Sequence, residues 1–439
     1  MNRVVLINPP SNCVEDDRLE PQLGLLYIAA VLKENNIPVF LYDMTGCKTE
    51  SQVEMMIEKI PTGDIYGFTV YCTNYPYVKQ CIDNIRSKKK NAFIVLGGPN
   101  PTALPAYTLK DCGCDCVITG EGEDAFLSVV NSFENGQKIP AVIEGTGRME
   151  IDSYPFPAID LVDLESYSRC LQGERVISLI SSRGCNYRCV HCNSVVMGGG
   201  NRQDSSVRVR YRNPLNIIQE LQILNSHGYH KFRFNDDNFT GNPNLRDLLN
   251  QISTLNINYR IFARIEDLTE TNCHYLKESG CCHISVGLET LNPDNLRFLG
   301  KSSQSGLEID HLYNIKKNGM TARVYFMIGL PFDTDETVDA YFGTPPHFEK
   351  ASRLPFDEYS LYPLIPYPGT RLWEDPGAFG YEIIDRDFTH YVQIGKGGST
   401  CFALKHRNFT PGKVRSWYNQ ITQIMADAGK KQASKSKIA

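Results

Sequence analysis

The segment ISLISSRGCNYRCVHC (177–192) joins an apolar run to a loop that contains three cysteines. The run ISLISS (177–182) has the short apolar pattern of a buried β-strand. Cys185, Cys189 and Cys192 follow this strand with the spacing CxxxCxxC. A loop with these gaps can bring three sulfurs to three corners of an iron–sulfur cubane. Three ligands leave one iron open, as in catalytic metal sites that keep a position for substrate.

The residues alone leave two other uses of these cysteines open. One is a structural zinc site, but such sites usually take four ligands in two separated pairs, and the chain has no second CxxC. The other is a redox-active pair made of Cys189 and Cys192, which would leave Cys185 without a role. The spacing therefore favours the open cluster.

The chain after residue 176 repeats a strand-and-helix pattern. Short apolar runs alternate with amphipathic segments such as 214–225 and 244–255. Six such units predict a partial (β/α)6 version of the eight-unit TIM barrel, in which chemistry lies at the carboxyl ends of the strands. The predicted strands are ISLISS (177–182), KFRFN (231–235), YRIFAR (259–264), HISVGLE (283–289), ARVYFMIGL (322–330) and DEYSLYPL (357–364).

Residues 1–145 show an earlier alternation of continuous apolar runs and helical patterns. Strands that are apolar throughout are typical of a doubly wound parallel sheet of Rossmann or flavodoxin type, because helices cover both faces. Residues 146–175 lose this periodicity and are predicted to be a linker. The barrel is then predicted over 176–375, and a short helical C-terminal extension over 376–439. The extension is predicted to end in a disordered basic tail.

Charge and cysteine content limit the classes of function. The 439 residues carry a net charge of −5, which gives no general attraction to nucleic acid. We find no secretory signal and no apolar stretch of ~20 residues, so we expect a soluble, cytoplasmic protein without a membrane span. The 15 cysteines of such a protein are expected to be thiols or metal ligands. Cys112, Cys114 and Cys116 are predicted to alternate along one strand, which disfavours a shared metal.

The cysteine motif at the end of the first barrel strand resembles the signature of the radical S-adenosylmethionine (radical SAM) superfamily. The resemblance implies a [4Fe–4S] cluster whose open iron binds S-adenosylmethionine. It also implies reductive cleavage of that molecule to a 5′-deoxyadenosyl radical, with electrons from a donor such as ferredoxin or flavodoxin. His191 departs from the family pattern, which usually has an aromatic residue just before the third cysteine.

Residues at later strand ends look like the ligands that this family uses for S-adenosylmethionine. Asp237 resembles the acid that binds the methionine amino group, although an acid at such a turn also serves as a helix N-cap. Arg264 resembles the partner of the methionine carboxylate, and an ion pair with Glu266 is the alternative. Glu289 looks like the acceptor of the ribose hydroxyls. The loops that resemble the adenine side contain Ile328 and Pro366.

The N-terminal domain resembles the cobalamin-binding domain of one class in this superfamily. The resemblance lies in the turns Asn8-Pro9-Pro10, Gly97-Gly98-Pro99-Asn100 and Gly120-Glu121-Gly122-Glu123. It implies that Gly97, Gly98 and Gly120 let the backbone approach cobalamin. The Asp-x-His-x-x-Gly motif that supplies a histidine to cobalt in other cobalamin proteins is absent. Either the cobalt has no protein histidine ligand, or the domain has kept its fold and lost the cofactor.

Together the two resemblances imply a cobalamin-dependent radical SAM methyltransferase. We expect it to methylate an unactivated carbon of a small molecule, a lipid or a peptide, and we expect no nucleic-acid partner. Two alternatives stay open. The same cofactors can serve cyclisation, rearrangement or oxidation without methyl transfer, or the chain can be a non-catalytic cobalamin- or metal-binding module.

Overall fold

The contacts within the computed structural model divide the chain into two compact units. The described residues are 3–11, 13–197, 209–301, 307–342, 354–393, 395 and 399–432. The first unit contains Met1–Ser168, Asn193–Arg210 and Asp387–Ser399, and the second contains Arg169–Cys192, Tyr211–Arg386 and Thr400–Ala439. None of the helices in the described parts of the chain combines the length and the apolar composition that a membrane span requires.

The first unit is built on a six-stranded parallel sheet. Its strands are β1 (Val4–Asn8), β2 (Val39–Asp43), β3 (Ile65–Thr69), β4 (Phe93–Gly97), β5 (Cys116–Gly120) and β6 (Val142–Gly145). Their order is β2-β1-β3-β4-β5-β6, so the winding reverses between β1 and β3 as in flavodoxin-like sheets. This confirms the predicted doubly wound sheet.

Helices cover this first sheet on both faces. They are α1 (Leu23–Glu34), α2 (Glu50–Glu58), α3 (Tyr75–Lys88), α4 (Pro99–Ala103), α5 (Pro105–Cys112), α6 (Glu123–Glu134) and the short α7 (Ser194–Met197). All five residues of β1 are buried, as expected for a strand with helices on both sides. Leu6 of β1 shares a core with Ala29 of α1 and Phe126 of α6.

The structure corrects the prediction for Cys112, Cys114 and Cys116. They do not alternate along a strand, because α5 ends at Cys112 and β5 begins only at Cys116. Gly113 between them has a φ of +62°, the left-handed conformation that commonly ends a helix. The spacing of the three cysteines does not indicate that a helix ends among them. Gly113 does, because glycine commonly follows the last residue of a helix.

The predicted linker, 146–175, is largely irregular in the structure. It contains three single-turn 3-10 helices, at Ile151–Ser153, Ile159–Leu161 and Leu164–Ser166. Arg18 of the first unit donates from Nη2 to the Ser166 hydroxyl (2.7 Å) and from Nε to the Ser166 carbonyl (3.2 Å). Residues up to Ser168 accordingly group with the first unit.

The second unit contains a seven-stranded parallel sheet, called here the barrel sheet. The strands that follow β6 are β7 (Cys170–Leu171), β8 (Glu174–Arg175), β9 (Ile177–Leu179), β10 (Ser182–Arg183), β11 (Arg210–Tyr211), β12 (Lys231–Phe234), β13 (Asn258–Ala263), β14 (Cys281–Glu289), β15 (Thr321–Ile328), β16 (Glu358–Pro363), β17 (Tyr381–Ile383), β18 (Leu404–His406) and β19 (Lys431–Gln432). The barrel sheet has the order β19-β16-β15-β14-β13-β12-β9. All six predicted barrel strands are therefore present, which confirms the α/β fold class.

Helices alternate with these strands. They are α8 (Pro214–Ser226), α9 (Leu245–Ile252), α10 (Glu270–Glu278), α11 (Pro293–Leu299), α12 (Leu307–Lys317), α13 (Asp335–Phe342), α14 (Arg371–Glu374) and α15 (Pro411–Asp427). β17 and β18 pair with each other in antiparallel orientation, apart from the barrel sheet.

The structure differs from the predicted disordered tail at its start. Lys431–Gln432 form β19, which pairs in parallel with β16. Lys430 Nζ donates to the carbonyls of Leu354 (2.9 Å) and Phe356 (3.1 Å), which hold the chain beside the beginning of β16. The rest of the predicted tail, 433–439, lies outside the described residues.

Candidate functional site

The three motif cysteines lie on the loop that follows β9 and β10, called here the cysteine loop (183–192). Cys185, Cys189 and Cys192 are each half-buried. Cys192 N donates to the Cys189 carbonyl (3.1 Å), which forms a tight turn between the last two cysteines. The pKa of Cys185 is raised to about 11, mainly by burial and also by the nearby Asp237 and the two other thiols. The Cys185 thiol is therefore near enough to Asp237 and to the other two thiols to interact with them electrostatically.

This arrangement fits a cubane. Among the described residues, no three His, Cys, Asp or Glu side chains are placed to ligate a single metal ion. A cubane requires a different arrangement, because each cysteine binds a different iron of the cluster. Three half-buried thiols on one short loop suit such a ligand set.

Asp236 has a role that the sequence did not indicate. Its buried carboxylate accepts a hydrogen bond from the Ser181 backbone N–H (3.0 and 3.1 Å to its two oxygens). It also accepts from the hydroxyls of Ser181 (2.9 Å) and Ser182. Burial raises the pKa of Asp236, and these serine hydrogen bonds oppose that rise. Because the two serines come just before the cysteine loop, Asp236 fixes the backbone from which the loop starts.

The N-cap alternative for Asp237 does not match the structure. The 3-10 turn Phe239–Gly241 begins after Asn238, and that residue makes no side-chain cap. Asn238 Oδ1 instead accepts from the Arg264 backbone N–H (3.4 Å), and its Nδ2 donates to Asp267 (3.3 Å). The loop after β12 is thus tied to the end of β13.

Arg264 contacts the cysteine loop directly. It is 9% exposed, and its guanidinium carbon lies 3.5 Å from the centroid of the Tyr187 ring. The ion pair with Glu266 is present, through Nη2 (2.7 Å) and Nε (3.3 Å). Although burial opposes it, Glu266 holds the pKa of Arg264 above its ordinary value. Glu266 uses the edge formed by Nε and Nη2, and among the described residues Nη1 makes no hydrogen bond, so that edge could take a second carboxylate.

Glu289 ends β14 in a conformation that glutamate rarely adopts. Its φ is +64°, and the pairing with β15 shifts register between Gly287 and Glu289. Lys301 Nζ donates to Glu289 Oε1 (2.9 Å) and to the Gly287 carbonyl (2.6 Å). A Cβ on Gly287 would lie 2.6 Å from Glu289 Oε1, so a larger residue there would displace the end of the Glu289 side chain. Such strain is typical of functional sites, and the sequence gave no sign of Lys301.

His191 lies near Glu289, which connects this strand end to the cysteine loop. Burial lowers the pKa of His191, and the Glu289 carboxylate partly offsets this effect. The structure therefore brings Asp237, Arg264 and Glu289 to the cysteine loop from three consecutive strands of the barrel sheet.

The loop after Ile328 is held by a buried acid. Asp333 Oδ2 accepts from the backbone N–H groups of Gly329 (2.9 Å) and Leu330 (2.8 Å), and Oδ1 accepts from Asn295 (2.7 Å). Burial raises the pKa of Asp333 to about 7. Ile328 itself is buried as the last residue of β15.

The helix that follows the Pro366 loop, α14, contacts the cysteine loop. Thr370 ends the Pro366 loop and caps α14 by accepting from Trp373 N (3.2 Å). Leu372 N, in the first turn of α14, donates to the Val190 carbonyl (3.2 Å). Pro366 is buried, and it lies in the segment between the end of β16 and Thr370.

The candidate cobalamin glycines lie at two strand ends of the first unit. Gly97 ends β4, Gly98 follows with a φ of +106°, and Gly120 ends β5 with a φ of +75°. A Cβ on Gly98 would lie 3.0 Å from the backbone of Val70, so packing within the sheet already requires this glycine. Next to them, the buried Asn100 Oδ1 has no hydrogen-bond partner among the described residues. An unpaired buried acceptor at this edge fits a bound ligand.

Two family models match the chain. The B12 binding domain matches residues 15–130, and the radical SAM superfamily matches residues 179–342. A relative in Pyrococcus horikoshii, the uncharacterized methyltransferase PH0819, is 30% identical over 85% of this chain and 82% of its own length. The cytidylyl-2-hydroxyethylphosphonate methyltransferase of Streptomyces wedmorensis is 23% identical over 90% of this chain and 85% of its own length.

The fold is similar to that of the radical S-adenosylmethionine methyltransferase TsrM from Kitasatospora setae, solved with cobalamin and a [4Fe–4S] cluster. The TM-score is 0.71 at 18% identity, over 99% of this chain and 93% of TsrM. The chain belongs to the radical SAM superfamily, in the class that carries a B12-binding domain, and shares a family with PH0819. The two domains are those of proteins that use cobalamin and S-adenosylmethionine, in agreement with the predicted cofactors, and the predicted [4Fe–4S] cluster is present in TsrM.

The first prediction separates the two adjacent acids. Asp236→Ala leaves the buried Ser181 N–H without its acceptor, which costs about 1–3 kcal/mol and loosens the start of the cysteine loop. We expect anaerobically reconstituted D236A to hold less iron and sulfide than the wild type. The matched variant Asp237→Ala should keep its iron but bind S-adenosylmethionine more weakly. Equal iron content in the two variants would contradict the role given to Asp236.

The second prediction concerns close packing at Gly120. In Gly120→Ala the new Cβ would lie 2.4 Å from the Gly145 carbonyl oxygen, in addition to the strain of a φ of +75°. Gly113→Ala shares a positive φ of +62° but has open space around the Cβ. We expect G120A to unfold at a clearly lower temperature than G113A when both are followed by circular dichroism. Equal melting temperatures of the two variants would show that the close approach of residue 120 to the Gly145 carbonyl oxygen does not affect stability.

Proposed function

We propose that the chain methylates an unactivated carbon of a small molecule, as a cobalamin-dependent radical SAM methyltransferase. One observation carries most of this proposal. The cysteine loop is approached by Asp237, Arg264 and Glu289 from three consecutive strand ends, and these charges suit the amino, carboxylate and ribose groups of S-adenosylmethionine. The relatives named as methyltransferases support transfer of a methyl group.

When bound, the cluster and S-adenosylmethionine supply a 5′-deoxyadenosyl radical, and cobalamin supplies a transferable methyl group. In this chain Cys185, Cys189 and Cys192 would hold the cluster. Asp236 keeps the start of their loop in place through Ser181. An external one-electron donor such as ferredoxin or flavodoxin would complete the system.

The three polar residues would divide the recognition of S-adenosylmethionine. Asp237 would accept charge-assisted hydrogen bonds from the methionine amino group. Arg264 would use the Nη1 edge for the methionine carboxylate, while Glu266 and the Tyr187 ring hold its guanidinium in place. Glu289, fixed by Lys301, would accept hydrogen bonds from the ribose hydroxyls.

The choice of a small-molecule acceptor has support from a fold neighbour. TsrM has also been solved with a tryptophan substrate and a SAM analogue, and this structure matches the chain with a TM-score of 0.68 at 18% identity. A lipid or a peptide remains the other class of acceptor to be tested.

The test uses reconstituted holoenzyme, a strong reductant and S-adenosylmethionine labelled in its methyl group, under strict exclusion of oxygen. We expect formation of 5′-deoxyadenosine, and transfer of label to an acceptor in the small-molecule fraction of a cell extract. Abundant 5′-deoxyadenosine without transferred label would overturn methyl transfer and favour cyclisation, rearrangement or oxidation. No cleavage of S-adenosylmethionine would favour a non-catalytic binding module.

Two cysteine variants control this experiment. Cys189→Ala removes a cluster ligand and should abolish 5′-deoxyadenosine formation. Cys401→Ala changes a thiol that is half-buried to a similar degree but lies outside the motif, and should leave it unchanged. A similar loss in both variants would contradict the assignment of the cluster to the motif.

A further inference from the structure

The two faces of the barrel sheet differ in chemistry. Side chains alternate between the faces of each strand. One face is apolar and fully buried, as at Ile261, Val286 and Val324, and helices α10, α12 and α15 pack against the sheet. The opposite face carries arginine at neighbouring positions, since Arg233 of β12 pairs in register with Arg260 of β13.

The same polar face continues across the next strands. Phe262 pairs with Ser285 of β14, Ser285 pairs with Arg323 of β15, and Arg323 pairs with Glu358 of β16. Paired residues of a parallel sheet point to the same side, and Arg260 lies two residues before Phe262. Arg260 and Arg323 therefore project from the same face, on strands separated only by β14.

Both arginines are deeply buried with incomplete hydrogen bonding. Arg260 is 1% exposed, and among the described residues its Nη2 alone has a hydrogen-bond partner, the Ser285 hydroxyl (2.9 Å). Arg323 is 4% exposed and donates from Nη2 to the Ser360 hydroxyl (2.8 Å). Among the described residues, Nε and Nη1 of Arg260 and Nε of Arg323 have no hydrogen-bond partner. Buried donors without acceptors are costly, and charged ones especially so.

Glu358 interacts electrostatically with both Arg260 and Arg323, but Arg233 and Arg169 add further positive charge, so the described cations of this cluster outnumber this carboxylate. Arg260 is buried among the other cations Arg233, Arg169 and Arg323, and its pKa falls to about 9, first because of burial and then because of these neighbours. The nearby carboxylate is Glu358, whose Oε2 makes no hydrogen bond among the described residues and lies 3.8 Å from His283 Nε2. Burial lowers the pKa of His283 to about 4, so it is neutral at physiological pH.

Aromatic rings hold the two guanidinium groups in place. Arg260 lies over the ring of Phe262 (5.8 Å) and Arg323 over the ring of Tyr325 (5.2 Å). Tyr325 in turn stacks on Tyr362 with ring centroids 5.9 Å apart. Such contacts fix the direction of a cation without supplying the acceptors that its N–H groups need.

We propose that the polar face of the barrel sheet binds an oxyanion, a carboxylate or phosphate group, at Arg260 and Arg323. Guanidinium groups match both anions through paired N–H donors, and the unpaired donors of these two residues are the ones such an anion would take. Arg260 lies four residues before Arg264, or ~13 Å along the strand, so this site is separate from the one inferred for the methionine carboxylate.

The anion has two possible sources with the same chemistry. It is either free inorganic phosphate or the anionic group of the acceptor molecule, and the second source rests on the proposed methyl transfer. The first arm of the test measures anion binding and does not require enzyme activity. A failure of anion binding is therefore distinguishable from a failure of the proposed methyl transfer.

In this first arm, the unfolding temperature of the reconstituted full chain is measured against inorganic phosphate at constant ionic strength. We expect a saturable rise of about 2–4 °C in the wild type. Arg260→Met and Arg323→Met should lose this rise. The control Arg297→Met changes an exposed arginine of α11 and should retain it. R260M should also unfold no earlier than the wild type without phosphate, because methionine removes a buried charge while filling similar space.

The second arm asks whether phosphate inhibits transfer of labelled methyl to the acceptor while leaving uncoupled cleavage of S-adenosylmethionine unchanged. Inhibition would assign the site to an anionic group of the acceptor, and stabilisation without inhibition would assign it to free anion. A wild type that phosphate neither stabilises nor inhibits, or an equal response in R260M, R323M and R297M, would overturn the proposal. If one of the first two variants fails to fold, the other still decides the outcome.

Discussion

The position of the cysteine loop depends on one buried carboxylate. Asp236, two residues after the end of β12, accepts hydrogen bonds from the backbone N–H and hydroxyl of Ser181 and from the hydroxyl of Ser182. This contact joins two adjacent strand ends, because β9 and β12 are neighbours in the barrel sheet. A buried acceptor with three donors leaves the backbone little freedom, so the loop begins from a fixed point.

The rest of the site follows from the parallel sheet. Parallel strands bring their carboxyl ends to one edge, so residues far apart in sequence meet at the same loop. Arg264 stacks on Tyr187, and Glu289 lies near His191. Each of these residues is held by a further contact, Glu266 for Arg264 and Lys301 for Glu289. These contacts orient the side chains of Arg264 and Glu289 before a ligand binds. Both binding and catalysis depend on polar groups that are already oriented.

The sequence predicted those features that depend on local pattern. Apolar runs located six of the seven strands of the barrel sheet, and cysteine spacing located the loop. It did not distinguish Asp236 from Asp237, because only the fold decides which of two adjacent acids faces Ser181. Lys301 and Asp333 were missed because their partners are strand-end backbone groups and side chains distant in sequence. β19 was missed because a two-residue strand carries almost no periodic signal.

The central claim is that three cysteines hold a cluster with one iron free for S-adenosylmethionine. Its most direct test is electron paramagnetic resonance of the reduced, oxygen-free protein, together with analysis of its metals. We predict about four iron atoms per chain and a signal that changes when S-adenosylmethionine is added. Zinc in place of iron, or a cluster signal indifferent to S-adenosylmethionine, would contradict the account.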